Sequence, residues 1–413
     1  MFDVVVIGGG LIGASATRHL CKAGLSVAVI APPEPDSPIS HRGPFGAYYD
    51  VSRSSRTLYV DPVELELSRR AQAANPEIED HSNEKVFFGE GHLLVAKRED
   101  YEELFTLFED PSHSHLAEIL DAEGLRKNWP ELCFPPDYLG LYELGCTGIL
   151  NPRKLVEAQL SAVTSYGGKI FSSAAKNLEI KSNCFIELED GSVLEANKVL
   201  ISAGAWSNSS GLLPRPLALR MKTETVLLAE VDSDESERLA KLPAMHYEIS
   251  DAAAADIYAV PPQVYPDGRT LIKWGANTLA DTWIEDAESI NHWYRQGDSD
   301  QIIDSVKASM ERTYPEIKVK DWHTNRCVIT YTTHGLPYID SLVDNQVYAA
   351  IGGNGRSAKW ADPLGALAAS LTIANHWVDP LPASRFEAVF DNQPTNWVGR
   401  RLLKQRNCAL GGT

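Results

Sequence analysis

The chain is 413 residues long and 44% hydrophobic, enough to bury a large core and to form two domains. Its net charge of −18 argues against a nucleic-acid partner, because phosphate binding needs clustered Lys and Arg. No apolar run approaches the roughly 20 residues of a membrane span, and the six cysteines are scattered with no C-x-x-C pair or zinc-like His spacing.

The opening segment carries the strongest local signal. Val4–Ile7 reads as a buried strand, Leu11–Lys22 as a helix and Val27–Ile30 as a second strand. Gly8, Gly10 and Gly13 stand between the first strand and the helix at G-x-G-x-x-G spacing, the setting in which this motif binds a dinucleotide. Gly8 allows the tight turn, Gly10 lets the backbone approach a pyrophosphate, and Gly13 lets the helix lie close to the strand. The helix opens at Leu11 and Ile12, where unpaired N–H groups and the positive dipole end favour phosphate. The acid that usually ends the second strand and binds the ribose is absent. Ala31 occupies its place, leaving Glu34 in the following loop as the candidate. Since the first strand begins at Phe2, no room is left for a targeting segment, and a cytoplasmic location is expected.

Further along, Ala31–Tyr49 is rich in Pro, Gly and Ser and long for a strand–helix connection, hence a candidate functional loop. Asp61–Ala74 reads as an amphipathic helix with Val63, Leu65, Leu67 and Ala71 as its apolar residues. Val86–Ala96 reads as paired strands about a glycine turn, and the stretch from His115 to Trp129 as helical. Asn151 and Pro152 mark a helix start. Asp190-Gly191 marks a hairpin turn between alternating segments. Alternating strands fill 216–280, an amphipathic helical stretch covers 284–312, and Val347–Gly355 is a strand ending in glycines before a helix over Pro363–His376. The dinucleotide fold is therefore read as assembled from separated pieces, with a β-rich region between them.

This order resembles the glutathione-reductase-type FAD fold of the D-amino-acid oxidase superfamily, and most of all the monomeric sarcosine oxidase family with its glycine, N-methyl-amino-acid, pipecolate and fructosyl-amino-acid oxidase relatives. The resemblance covers nearly the whole chain. It implies an α/β fold, in which a Rossmann-like FAD-binding domain (1–88, 147–214 and 328–390) carries an inserted, mainly antiparallel substrate domain (89–146 and 215–327), with 391–413 as a tail. The strand Val199–Ala203, followed by Gly204-Ala-Trp206, is similar to a second element that passes close to FAD, so Ala203, Gly204 and Trp206 join the cofactor residues. Gly353, Asn354 and Gly355 resemble a third such turn.

Narrower likenesses concern the reaction. Cys327-Val-Ile-Thr-Tyr-Thr-Thr-His-Gly-Leu-Pro-Tyr-Ile-Asp340 is similar to the segment whose cysteine is bonded through sulfur to the flavin, which implies covalent FAD on Cys327. Thr333-His334-Gly335 departs from the family's pattern there. Lys273, in Leu271-Ile-Lys-Trp-Gly275, resembles a lysine over the flavin face, where an ammonium stabilises the superoxide-like charge of oxygen reduction. Tyr258-Ala-Val-Pro261 resembles a Tyr-x-x-Pro element lining the substrate pocket, while Asn277 stands where the family has a histidine. Asp50-Val-Ser-Arg53-Ser-Ser-Arg56 resembles an Asp-Thr-Arg-x-x-Arg element, implying Arg53 beside the flavin and Arg56 on a substrate carboxylate. Lys359 resembles the second carboxylate contact, with Arg356 as its competitor.

The expected activity is FAD-dependent oxidation of an amino acid, a secondary amine of the N-alkyl or N-carboxymethyl glycine type, to an imine that hydrolyses while oxygen becomes hydrogen peroxide. Phe45, Tyr48 and Tyr49 form an insertion that can reshape the pocket for longer substrates. No general base stands out. The alternatives are a dehydrogenase passing electrons to another acceptor and a flavin-binding protein without catalysis. The partners expected are a small amino acid and molecular oxygen, with neither nucleic acid nor membrane, for a monomer or small homo-oligomer.

Overall fold

The computed structural model describes residues 1–393 apart from 144, 146, 209–210, 250–253, 279 and 298–299. Cys146, Cys408 and most of the expected tail lie outside the described residues. Two large sheets organise the chain. The first has eight strands, with Phe2–Ile7 at its centre, flanked in parallel by Val27–Ile30 and Val193–Ile201. Val347–Ile351 pairs in parallel with the end of Val193–Ile201, so the glycine turn and the later Ser202–Trp206 and Gly352–Gly355 turns leave the same edge of one sheet. The Asp190-Gly191 hairpin extends this sheet antiparallel, joining Cys184–Leu188 to Val193–Ile201.

The helix Leu11–Lys22 is almost wholly buried and lies against the late helix Ala361–Ala374. Glycine makes that approach possible. A Cβ on Gly365 would stand 2.5 Å from the Ala16 backbone nitrogen. One buried carboxylate fastens the pair. Asp362 Oδ1 accepts from Arg18 Nη2 (2.6 Å) and Gln159 Nε2 (3.2 Å) and lies 3.1 Å from His19 Nε2. Burial works against the Asp362 charge, but His19 and Arg18 outweigh it and hold the carboxyl well below its usual range.

The second sheet has nine strands and is antiparallel except where Ala244–Tyr247 runs parallel to His92–Ala96. Its long strands Leu219–Glu230, Ala254–Val264, Thr270–Thr278 and Asp321–Thr332 obey the two-residue alternation of a pleated sheet. Ile272, Trp274 and Leu227 share an apolar core with Val306 and Met310 of the helix Asp300–Thr313, and Lys273 points to the other side. A third, three-stranded sheet holds Arg53–Ser55, Gly148–Leu150 and Phe87–Phe88.

Several local expectations are corrected. Val86–Ala96 is not one hairpin: Phe87–Phe88 pairs with Gly148–Leu150, whereas His92–Ala96 joins the nine-stranded sheet, so the Gly89–Gly91 turn passes between sheets. Ala117–Leu120 is a strand ahead of the short helix Ala122–Asn128. The helix Pro62–Ser82 runs past Ala74, capped by Asp61, and turns Leu65 outward at 40% exposure. The stretch from 284 to 312 divides into Ala287–Gln296 and Asp300–Thr313, with Gly297 capping the first. The last helix begins at Ala361, two residues before Pro363, which sits where a missing N–H costs nothing. Among the described residues no helix is long and apolar enough to cross a membrane.

Asp362→Ala removes a buried counter-charge while leaving Arg18 its bond to the half-exposed Glu77. Chemical denaturation should show a loss of about 3 kcal/mol at neutral pH, in the lower part of the range for breaking a buried pair. Because the folded carboxyl is held below its unfolded value of about 3.9, this advantage is full above that pH and shrinks as the pH falls through it.

Candidate active site

The carboxyl edge of the first sheet and the inner face of the second enclose one cavity of about 1420 Å³. Gly8, Gly10, Leu11, Ile12, Arg53, Arg56, Ala203, Gly204, Trp206, Tyr258, Lys273, Cys327, Gly353, Asn354, Gly355 and Lys359 all line it. Gly13 does not. A Cβ there would stand 1.9 Å from the Gly8 carbonyl oxygen, so its part is helix–turn packing. Gly8 has φ +106°, and its Cβ would strike the Ser202 carbonyl at 2.4 Å, so the turn requires glycine. Gly10 differs: it caps the helix with no side-chain bond to the first N–H groups, and a Cβ there meets nothing within 4 Å.

A buried carboxylate organises the cations. Asp50 accepts from Lys273 Nζ (2.6 Å), Tyr265 Oη (3.0 Å), the Val51 N–H (2.8 Å) and Arg53 Nη1. Burial opposes the Asp50 charge, yet Lys273 and Arg53 hold its carboxyl far below the ordinary value. Lys273 also donates to the Ser52 carbonyl at 2.9 Å. Burial, then Arg53, push its pKa down to about 8, against the pull of Asp50. The Cys327 thiol is pushed up by burial, with Arg53 acting the other way. Cys327 lies opposite Glu224 in the strand register, and Glu224 accepts from Tyr258 Oη at 2.8 Å. Lys222 holds the other Glu224 oxygen at 2.7 Å.

Arg56 and Lys359 meet at a residue that sequence reading passed over. Tyr59 Oη accepts from Arg56 Nε and from Lys359 Nζ, each at 3.2 Å. Burial disfavours the phenolate, but Lys359 and Arg56 outweigh it and bring the Tyr59 pKa below its usual value. Arg356 is engaged elsewhere: it pairs with Glu64, donates to the Gly335 carbonyl at 2.9 Å and lies over Trp360. Glu34, which also lines the cavity, forms a two-bond fork with Arg153 at 2.6 and 2.7 Å. The long loop folds over the cavity, with Phe45 stacked on Tyr294 at 4.4 Å and its carbonyl accepting from Trp206 Nε1. His334 Nε2 lies 3.1 Å from the Glu387 carbonyl, and its ring packs edge-on to Tyr338. Among the described residues there is no cluster suited to a metal ion.

The family model described as FAD dependent oxidoreductase matches residues 3–371. The chain is 26% identical over 240 residues to monomeric sarcosine oxidase of Bacillus sp. (strain B-0618), covering 57% of this chain and 59% of that one. It is 30% identical over 211 residues to N-methyl-L-tryptophan oxidase of Salmonella dublin, covering 50% and 54%. These matches thus span little more than half the length of either curated relative. Among solved structures, NikD, an unusual amino acid oxidase essential for nikkomycin biosynthesis, matches with a TM-score of 0.76 at 14% identity, over 95% of this chain and 98% of that one. At that identity the likeness is one of fold.

The residues present fit FAD: a glycine turn that tolerates no Cβ at Gly8, open space beyond Gly10, and a helix start with no capping side chain. Gly10→Leu should therefore fold as stably as the parent apoprotein, because its side chain meets no protein atom near Cβ. The purified variant should nonetheless carry little flavin by its visible absorbance. Full flavin content would place the pyrophosphate elsewhere.

Proposed function

The chain belongs to the FAD-dependent oxidoreductase family, and on that premise we propose that it oxidises the carbon–nitrogen bond of an amino acid, a secondary amine of the N-alkyl or N-carboxymethyl glycine type, to an imine that water hydrolyses, with oxygen reduced to hydrogen peroxide. One observation carries this reading. Arg56 and Lys359 converge on the Tyr59 hydroxyl inside the cavity that also holds Lys273, Cys327 and the glycine turn. Two cations that already share one oxygen acceptor form a ready clamp for a carboxylate.

The turn at Gly8–Gly10 and the start of the Leu11–Lys22 helix would hold the cofactor's phosphates, and Arg53, Ala203, Gly204, Trp206 and Gly353–Gly355 would line the rest of it. Cys327 would tether it through sulfur. When bound, FAD supplies the two-electron acceptor for the C–H beside the substrate nitrogen. The protein's part is positioning and charge. Arg56 and Lys359 fix the substrate by its carboxylate, Tyr258 is held in place by its bond to Glu224, and Phe45, Tyr48 and Tyr49 shape the pocket where side chains differ. Lys273 presents a buried ammonium to the negative charge that develops during oxygen reduction. A tethered cofactor also has less need of the ribose acid missing at Ala31.

Acid precipitation of the yellow holoprotein should leave the flavin with the polypeptide; release into the supernatant would remove Cys327 from the site. Turnover of N-methylglycine or pipecolate should produce peroxide, and the oxidation of substrate-reduced enzyme by oxygen should slow as the pH rises through about 8, where Lys273 loses its charge. Lys273→Met should be slower than the parent by about 100-fold or more below that pH, with a flat profile. Equal reoxidation rates in the two proteins would contradict the assigned role.

A further inference from the structure

Cys327 faces a carboxylate across a strand pair. The strands Leu219–Glu230 and Asp321–Thr332 run antiparallel with Glu224 directly opposite Cys327, and both residues line the cavity. Directly opposed side chains share one face of a sheet, with Cβ atoms about 5 Å apart. Glu224 is 2% exposed. Its Oε1 accepts from Tyr258 Oη (2.8 Å) and its Oε2 from Lys222 Nζ (2.7 Å), and each carboxylate oxygen has a second lone pair. Lys222 does not serve Glu224 alone. It also donates to Asp281 Oδ2 (2.6 Å) and Asn277 Oδ1 (2.7 Å). An ammonium divided between two carboxylates quenches neither charge fully.

The helix Ala287–Gln296 holds the same strand from its outer edge. Trp293 Nε1 donates to the Cys327 carbonyl at 2.9 Å, and the Val328 N–H donates to Tyr294 Oη at 3.2 Å. These bonds fix the backbone from which the sulfur projects. A link through that sulfur needs a thiolate, because the thiolate and not the thiol is the nucleophile. Burial pushes the Cys327 thiol up and outweighs Arg53, while Glu224 and Asp50 add to the rise and Lys273 opposes it. The proton must therefore pass to a neighbour as the bond forms. Arg53 and Lys273 have no lone pair in their charged forms. Asp50 already accepts from four donors. Burial keeps Tyr258 and Tyr294 neutral, and a neutral phenol is a poor base. The carboxylate across the strand pair is left.

We propose that Glu224 is the base that receives the Cys327 proton when the flavin is attached. The inference rests on the covalent link proposed above. In the step, the S–H bond breaks, its proton bonds to a Glu224 oxygen, and the sulfur electron pair forms a bond to a methyl carbon of the flavin ring. That carbon gives up one hydrogen as a proton, so a C–S bond replaces a C–H bond. The two electrons released reduce the flavin, and molecular oxygen takes them with both protons to form hydrogen peroxide. The sign of one substitution separates a base from a mere neighbour. A negative charge beside a thiol disfavours the thiolate, so a Glu224 without a chemical part would retard attachment, and Glu224→Gln would speed it. Loss of a base slows it instead.

The test uses the full-length protein, prepared flavin-free from riboflavin-starved cells and mixed with FAD in air. Covalent flavin is read from the fluorescence of the denatured polypeptide and from its gain in mass. Glu224→Gln should attach flavin about 100-fold more slowly than wild type near pH 7. The gap should narrow about tenfold per pH unit above that, as solvent takes the thiol proton. The wild-type rate should stay level between about pH 6 and about pH 8, because the proton passes between two side chains and none is lost to solvent. Reversible FAD binding, followed by quenching of flavin fluorescence in Cys327→Ser with and without Glu224→Gln, should be equally tight. Equal or faster attachment in Glu224→Gln, or a wild-type rate climbing about tenfold per pH unit, would overturn the inference and leave Cys327 as the tether. Slow attachment matched by an equal loss of reversible binding would make Glu224 a structural residue and overturn it as well. Failure of the wild type to attach flavin would sink the tether itself, and the inference with it.

Discussion

The geometry of this site depends on one buried carboxylate. Asp50 binds Lys273 from the nine-stranded sheet and Arg53 from the short strand that follows it, and a Tyr265 hydroxyl and a backbone N–H complete its shell. One anion set against two cations leaves this cluster with one uncompensated positive charge. Isolated, each of these ions would be very costly to bury. Together they hold the sheet against the Asp50–Arg56 segment, and so fix Arg56 and Tyr59 just beyond it. Burying Lys273 brings its pKa down towards the working pH, while Asp50 keeps it from falling further.

The pleat of the second sheet does the rest. Alternate residues of its long strands form an apolar core with the helix Asp300–Thr313, while the intervening positions, among them Lys273, Tyr258, Glu224 and Cys327, reach the cavity. Chemistry-bearing side chains are thereby mounted on a rigid element whose opposite face supplies its stability. Buried polar groups on such a face must bond to one another, which accounts for the Lys222–Glu224–Tyr258 chain and the His92–His246 contact. Each depends on its neighbours, so removing one member leaves a buried partner uncompensated.

What the sequence revealed follows the same division. The opening strand, turn and helix were legible because Gly8 and Gly13 answer local steric demands, with Gly10 between them, beside an apolar run. Asn151 and the Asp190-Gly191 hairpin were legible for the same reason. Lys273 and Arg56 were reached through resemblance; alternation alone set Lys273 against its apolar neighbours Ile272 and Trp274 without saying which side was the cavity. The misreadings came where tertiary pairing decides. Val86–Ala96 has the look of a hairpin, yet its two halves belong to different sheets. Tyr59 and the His92–His246 pair carried no spacing signal: Lys359 lies 300 residues from Tyr59, and His246 lies 154 residues from His92. The one hint was charge alternating within an apolar run, as at Lys222 and Glu224.

The central claim is that a carboxylate held by Arg56 and Lys359 shares one cavity with a flavin tethered at Cys327. A crystal structure of the FAD-loaded protein soaked with methoxyacetate tests it most directly. The expected result is a carboxylate within hydrogen-bond reach of both cations, and continuous density from the Cys327 sulfur to the flavin ring. A carboxylate bound away from Arg56 and Lys359, or a flavin lying apart from Cys327 and Lys273, would contradict it.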